Sequence, residues 1–572
     1  MQRTLEQLRL LASIRGDAAE DALLSRARAI VQARQIEAES DLGPLFEDPG
    51  APAEAADVDS LKRLRQIYEA GGWVLLESTL ADLPADLRWL YESGAVTLEQ
   101  LAALHHRLGV TSAADLAAAV STHAIRSLDG FDEALESAVA AALPTLRATI
   151  PRIPLGRGAA IADPLINRLE SVAGVVWAGP AGSLRRGKDM LGDIELVAAT
   201  SRPNDAIDEL LRDPDVVRSL HRGSRRVYLL IDRVQVGVRL PDPANAGSEL
   251  LYLTGSARHF QALQAHAAGM NRRLTPAGLI GPSGELQTAA TEDEIYTALG
   301  LPPIPPEIRQ GDEEIAAAAR HELPPLVARE HIRGDLHMHT VWSDGRDPVE
   351  TMVEACRALR YEYIAITDHS PTAAGARSLT VDGVRRQADE IQELRSRYPD
   401  IVILHGCEAD ILPDGRLDFP DKVLEGFDIV LASLHERVGH SRDELMKRYT
   451  LAMKHPLVTI VTHPTNRLFP HRPGYDLDYD RLFEIAVETR TVLEVDGSPS
   501  HLDLDGALAR RAVRAGALLS IDSDSHRADL LNRQMHLGLL TARRGWVEPR
   551  HVLNTRPIGE VRAFIAAKRA AR

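Results

Sequence analysis

Apolar positions recur at helical spacing through the first 150 residues. Leu101, Leu104 and Leu108, then Leu116 and Ala119, repeat every three or four positions. The segment is rich in Ala and Leu and predicts helices only. A break at Asp48-Pro49-Gly50-Ala51-Pro52 is expected to divide a first bundle from a second. From about residue 151 short β-branched runs (175–177, 194–197, 227–231 and 234–240) alternate with helical stretches, which predicts an α+β unit. Pro302-Pro303-Ile304-Pro305-Pro306 and the acidic stretch to about 330 read as a linker outside either core. After 331, seven apolar runs recur near 332–339, 363–367, 401–405, 428–434, 457–462, 491–496 and 517–522, each followed by a helix-like segment. Strand and helix in alternation predict a parallel sheet, and seven units without an evident edge predict a barrel.

Composition narrows the class. With 572 residues, 44% apolar and 26% charged, the chain has room for three or four globular domains. The formal charge is −16, of which residues 1–150 supply −10 through 13 basic against 23 acidic side chains. DNA-binding proteins gain affinity by neutralising phosphates, so that segment predicts weak or metal-assisted DNA binding. Local arginine clusters such as Arg222-Gly-Ser-Arg225-Arg226 lie further on. The two cysteines, Cys356 and Cys407, cannot build a disulfide framework or a thiolate zinc site, which fits a reducing compartment. No apolar run is long enough to span a membrane, and the N-terminus lacks an apolar signal core. The expectation is a cytoplasmic monomer with no membrane partner.

Polar residues fall at one end of the seven runs. His337 and His339 end the first, two apart and so on one face of a strand. Asp344 follows in a loop, His369 follows the second run, Glu408 follows the third, His435 ends the fourth and His463 follows the fifth; Asp524 and His526 follow the seventh. C-terminal strand ends form the rim on which barrel enzymes assemble their sites. Six imidazoles and three carboxylates without a thiolate suit zinc, manganese or iron, and nine donors exceed the shell of one ion. Two or three clustered cations sharing a carboxylate point to phosphate-ester hydrolysis. His331, His405, His440, His455, His471 and His501 are read as solvated or packing residues, with His405 a candidate to support a ligand from behind. Cys407 is read as a small buried hydrophobe.

Asp335-Leu-His337-Met-His339-Thr-Val-Trp-Ser-Asp344-Gly, Thr367-Asp-His369, Gly406-Cys-Glu408, Ser433-Leu-His435, Thr462-His463-Pro and Ser523-Asp524-Ser-His526 resemble the motifs of the polymerase and histidinol phosphatase (PHP) domain across 331–572. The resemblance implies a distorted (βα)7 barrel with a trinuclear site. One ion would take His337, His339, Glu408 and Asp524; a second would share Glu408 with His435 and His463; a third would take Asp344, His369 and His526.

The front half carries a second resemblance. Gly182-Ser183-Leu184-Arg185-Arg186-Gly187-Lys188, followed by Asp193-Ile194-Glu195, is similar to the nucleotidyltransferase signature of family X DNA polymerases, as is Leu251-Tyr252-Leu253-Thr254-Gly255-Ser256. It implies a palm in which Gly182, Ser183, Arg186, Tyr252 and Gly255 contact a nucleotide while Asp193 and Glu195 hold manganese or magnesium. Two departures weaken that site. Glu195 stands where the family has Asp, and Gly237 stands where a third carboxylate belongs, which removes a ligand and a general base. Such losses cost on the order of 4 kcal/mol of barrier. Leu253 and Phe260 replace the usual Phe and Asn, and Asp232, a candidate substitute ligand, has a register one residue off the needed face. Residues 1–80 resemble a lyase-type domain and 81–150 a fingers region, with 151–250 as palm, 251–302 as thumb and 303–330 as linker. Lys62 is the only lysine before 150, and Schiff-base chemistry needs a desolvated one.

These features together lead to the expectation of a multidomain DNA repair enzyme: helical N-terminal region, α+β palm with weakened nucleotidyl transfer, and a metal-dependent 3′–5′ exonuclease acting on gapped, nicked or 3′-end DNA. Alternatives are a manganese-dependent gap-filling polymerase using deoxynucleoside triphosphates, a front half that only binds DNA, and a small-molecule phosphatase.

Overall fold

A computed structural model describes residues 1–37, 42, 45, 46, 55–70, 72–80, 82–148, 152–372, 378–435, 440–469 and 472–570. The N-terminal region is helical as expected, with helices Gln2–Arg15, Ala18–Ala33, Ala55–Ala70, Gly72–Leu80, Ala85–Glu92, Leu98–Leu108, Ala113–Ser121 and Glu133–Ala148. Thr97 and Ser112 open two of them with capping boxes, each closing two orphan donors of the first turn. Residues 48–52 lie outside the described residues. The expected division there into two bundles does not hold, because one apolar core runs from Leu5 through Leu64 and Leu101 to Ala142.

The palm sheet has strands β1 (Val175–Pro180), β2 (Ile194–Thr200), β3 (Val216–Arg222), β4 (Arg226–Ile231) and β5 (Val234–Arg239), in the order β1-β2-β5-β4-β3. Only β2 and β5 pair in parallel, which sets Glu195 directly opposite Gly237. Helices Ala246–Thr254, Ala257–Gly269 and Glu292–Ala298 surround a further core behind it.

Residues 303–330 correct the linker reading. Ile304, Ile308, Ala318 and Leu326 are buried in that same core, and Val327 joins the core of the C-terminal barrel. Arg309, 2% exposed, forms a two-pronged ion pair with Glu292 at 2.6 and 3.0 Å. Prolines hid the pattern, since they interrupt periodicity without preventing burial.

The expected barrel is present as a seven-stranded parallel sheet in sequence order: β6 (Gly334–Asp335), β7 (Tyr363–Ile366), β8 (Val402–Asp410), β9 (Ile429–Ser433), β10 (Val458–Val461), β11 (Val492–Asp496) and β12 (Leu519–Asp522). The first expected strand, 332–339, is regular over two residues only. Beyond β6 the chain closes the barrel on the far side of β12: Asp524 N–H donates to His337 O at 3.0 Å and His339 N–H to Ser525 O at 2.9 Å. The third strand runs longer than 401–405, so Glu408 sits within it and not after it. Palm and barrel share packing as well, with Leu502 and Leu537 of the barrel unit buried in the palm core. Among the described residues no helix is long and apolar enough to cross a membrane.

Candidate metal centre and palm site

The barrel closure and the strand ends bring the nine expected donors to one rim. His337, His339, His369, Glu408, His463 and Asp524 are buried, while Asp344, His435 and His526 are partly open and mark the mouth. His337 Nε2 and His339 Nε2 lie 3.1 Å apart. Asp524 Oδ1 is 3.1 Å from the latter and 3.6 Å from the former, and Glu408 Oε2 is 3.5 Å from both. Donors bound at about 2.0–2.1 Å in a tetrahedral shell sit roughly 3.3–3.4 Å apart, so this spacing fits a divalent ion.

A second observation supports the fit. Glu408 Oε2 and His369 Nδ1 face each other at 2.8 Å, both buried and neither aligned in a hydrogen bond. Buried polar atoms without a hydrogen bond are rare and call for a ligand or an ion. The groupings differ in part from those the resemblance implies. Asp344, His369 and His526 come together as expected, with His526 Nε2 3.2 Å and His369 Nε2 3.5 Å from Asp344 Oδ1, and His339 joins them. His435 groups with Glu408 and His369, while His463 Nε2 reaches the other oxygen, Glu408 Oε1, at 2.8 Å.

The electrostatics follow from this crowding. Burial opposes ionisation of Glu408, yet His369, His435 and His337 hold its carboxyl well below the usual range. Burial also disfavours an imidazolium at His337, but Glu494, Asp524 and Glu408 raise it well above its ordinary value. His435 is pushed up to about 10 against burial by Glu408 and Asp410. His339 goes the other way, to about 3, through burial and the neighbouring His369 and His526.

Sequence reasoning missed the residues that aim these donors. Glu494, on β11, accepts from His337 Nδ1 at 2.7 Å and from the His463 backbone N–H at 2.7 Å, so one carboxylate fixes two donors. Asp410 Oδ1 accepts from His435 Nδ1 at 2.5 Å, and Thr462 Oγ1 donates to Glu408 Oε1 at 3.1 Å. The available signal was a carboxylate within a buried apolar strand, which is rarely left unpaired. His405 stands further back: its Nε2 meets Gln387 Oε1 at 3.1 Å, and Gln387 donates to Asp368. His501, read as a packing residue, is stacked on His463 at 5.5 Å. His331, His440 and His455 stand outside the donor set, and His471 lies outside the described residues. Cys356 and Cys407 are free and buried.

In the palm, Gly182–Arg185 form a helical turn whose glycine, at φ +58°, packs on the Glu195 side chain. Ser183 Oγ is buried with no hydrogen-bond partner among the described residues. Arg186 donates to Thr254 O beside Gly255, and the Tyr252 hydroxyl to Ala114 O. Glu195 is 8% exposed, and its carboxylate lies over Gly237: a β-carbon at 237 would meet its two oxygens at 2.6 and 2.7 Å. The longer acidic arm therefore fills the space a third carboxylate would need. Asp193 sits half-buried just before β2. Asp232 is no substitute, because it lies in the β4–β5 turn paired with Arg157 at 2.7 Å. Phe260 is buried edge-on to Tyr252 at 5.1 Å. Lys62 is 69% exposed beside Asp59, the opposite of a desolvated amine.

Comparison with known proteins agrees with both halves. The family model of the DNA polymerase beta thumb matches residues 249–310, and that of the PHP domain matches 335–497. The DNA polymerase/3′-5′ exonuclease PolX of Bacillus subtilis (strain 168) is 34% identical over 506 residues, covering 88% of each chain. A probable phosphatase of Caldanaerobacter subterraneus subsp. tengcongensis is 29% identical over 205 residues, 34% of this chain and 75% of that one. Polymerase beta of Leishmania infantum in a ternary complex shares 15% identity over 40% of this chain and 99% of that one, at a TM-score of 0.27. Thumb, barrel and full-length similarity coincide: the chain belongs to the bacterial PolX family, the family X DNA polymerases that carry a PHP domain.

Proposed function

We propose that the barrel rim is a divalent-metal-dependent 3′–5′ exonuclease, and that the palm serves chiefly to hold DNA, with nucleotidyl transfer weakened. One observation carries this reading: eight donors from strand ends and loops far apart in sequence converge at the spacing of metal shells, His463 joins them through Glu408, and Glu408 is placed to serve more than one ion. His337, His339, Glu408 and Asp524 would hold one cation, Glu408, His435 and His463 a second, and Asp344, His369 and His526 a third, with Glu408 the shared carboxylate. Manganese, zinc and iron suit this donor set, and such cations supply Lewis acidity toward a phosphodiester and the attacking water. The chain's own part is to aim the donors. Glu494 keeps His337 Nδ1 protonated so that Nε2 presents a lone pair, and Asp410 does the same for His435. The partly exposed Asp344 and His526 leave the mouth open to a strand end.

The weakened palm rests on Gly237 standing where a third carboxylate belongs, with the Glu195 carboxylate lying over its place. The test is cleavage of 5′-labelled gapped and single-stranded DNA with Mn²⁺, wild type beside His339→Ala. A ladder shortening from the 3′ end is expected from wild type, and loss without unfolding from the variant. Retained cleavage would place the chemistry elsewhere. A second reading, hydrolysis of small phosphomonoesters at the same rim, draws on relatives that match 34% and 41% of this chain and are named probable phosphatases. Turnover of a sugar phosphate with no DNA cleavage would select it.

A further inference from the structure

One chain of contacts leads from the palm to the rim. His463 carries a φ of +27°, a strained backbone for a side-chain-bearing residue, and strain of this kind persists only where surrounding contacts over-determine it. Those contacts are visible. Two residues on, Thr465 N–H and Oγ1 both donate to Asp503 Oδ2 at 2.9 Å. Four residues on, Arg467 Nε donates to His501 O at 2.7 Å, while His501 Nδ1 donates back to Arg467 O at 2.8 Å. That reciprocal pair holds the His501 ring stacked on His463, with the planes inclined by 27°. Arg467 is itself 9% exposed, and its guanidinium reaches out of the barrel unit to Asp189 Oδ2 at 3.0 Å.

Asp189 belongs to the palm. It follows directly on the Gly182–Lys188 segment and also pairs with Arg544 of the barrel unit, whose Nη1 donates to Gly187 O at 3.0 Å. A nearby tie of the barrel unit to the 303–330 segment, Arg543 to Glu307 at 2.7 Å, has no such path to a rim donor among the described residues.

We propose that Asp189 of the palm is a positioning residue for the barrel's metal centre, acting through Arg467 and His501 on His463. The inference rests on the proposed metal-dependent reading of the rim. With Asp189 intact, Arg467 is locked at both ends, and His463 Nε2 stays on Glu408 Oε1. Without it, Arg467 keeps its carbonyl partners and the longer contact of its Nη1 with Asp505 Oδ2 at 3.6 Å, but loses the shorter, hydrogen-bonded charge partner of that nitrogen, and the strained turn at His463 can relax. The nuclease is on this account incomplete without the polymerase-like half, even though every metal donor lies beyond residue 336.

The test uses the full chain loaded with Co²⁺, whose visible absorption reads ligand geometry directly, together with Mn²⁺-dependent DNA cleavage. Asp189→Asn is compared with Asp189→Glu, Arg467→Lys and Glu307→Gln. The conservative Asp189→Asn keeps an acceptor, and thermal unfolding checks that each variant is folded. Mutations along such a path shift coupling by roughly 2- to 30-fold. A loss in that range is expected in kcat and in Co²⁺ affinity for Asp189→Asn and Arg467→Lys, with an altered absorption band and an unchanged KM for DNA. Partial recovery is expected for Asp189→Glu, and no change of spectrum for Glu307→Gln. An unaltered band and kcat in folded Asp189→Asn overturns the proposal, and so does an equal change in Glu307→Gln. His339→Ala run alongside keeps the two readings apart: retained cleavage there sinks the nuclease assignment, while the Co²⁺ spectrum still decides the role of Asp189.

Discussion

Gly237→Asp returns a carboxylate to the strand position where family X enzymes carry one, and the geometry says what it meets. The new β-carbon would stand 2.6 Å from Glu195 Oε1 and 2.7 Å from Oε2. This clash is with the far end of a flexible side chain, so Glu195 can give way, and the steric cost falls at the low end for overpacking, about 1 kcal/mol. Charge costs more. Two carboxylates about 4 Å apart at an effective dielectric near 20 repel by roughly 4 kcal/mol, and by less once Glu195 swings aside. The single exchange should therefore lower stability by about 2–4 kcal/mol in EDTA. Adding Glu195→Asp withdraws the older carboxylate by one methylene, which should restore about 1 kcal/mol. A cation bound by both carboxylates stabilises further, by about 2.7 kcal/mol at a hundred times its Kd. Urea unfolding in EDTA and in Mn²⁺ reads the stabilities, and extension into a one-nucleotide gap reads nucleotidyl transfer. Wild type is expected to be the most stable in EDTA and the single variant the least, with Mn²⁺ closing most of the gap. The double variant should extend primers at least about tenfold faster than wild type, equivalent to about 1.4 kcal/mol of barrier. A single variant as stable as wild type in EDTA would refute the picture of a Glu195 carboxylate filling the site.

Glu494→Gln removes the charge that orients His337 and His463, and should cost 10- to 100-fold in metal affinity, measured by competition with a chelator; an unchanged affinity would remove Glu494 from the centre. Glu292→Gln leaves Arg309 buried without its counter-charge, and a loss of roughly 3–5 kcal/mol is expected in chemical unfolding. The wild-type pH profile follows from the same group. Despite burial, Arg309 and Arg185 hold Glu292 down at about 2, below its unfolded value, so its contribution is full above the unfolded pKa and fades as pH falls toward 2. The variant should lack that part of the acid limb. Lys568, buried with its amine on Met453 O, Thr489 O and Thr491 Oγ1, is lowered to about 8 by desolvation. The unfolded chain then binds the extra proton between pH 8 and its ordinary value, so stability should rise with pH across that window, and Lys568→Met should flatten the rise.

Much of this was legible in sequence because donors at barrel strand ends fall at turns in the hydrophobic pattern, where His337, His339, His369 and His435 stand out against apolar runs. The residues behind them were hidden by the opposite circumstance. Glu494 lies inside an apolar strand between Leu493 and Val495, and Asp410 extends β8 beyond its apolar run, so periodicity took them for strand filler. Arg467 and His501 matter only because two loops meet, which no local pattern encodes. The palm departures were visible residue by residue, but not that they compensate: Glu195 and Gly237 lie 42 positions apart and face each other only through the parallel pairing of β2 with β5. Residues 303–330 misled because proline spacing masks apolar anchors such as Ile304 and Ile308.

Anomalous diffraction at the manganese edge, from crystals of the full chain grown with Mn²⁺, bears most directly on the claim that the rim cages cations. Peaks are expected about 2.0–2.3 Å from His337 Nε2, His339 Nε2 and Asp524, with at least one more beside Glu408 and His435. An empty rim at saturating Mn²⁺, with the imidazoles turned onto protein partners, would contradict it.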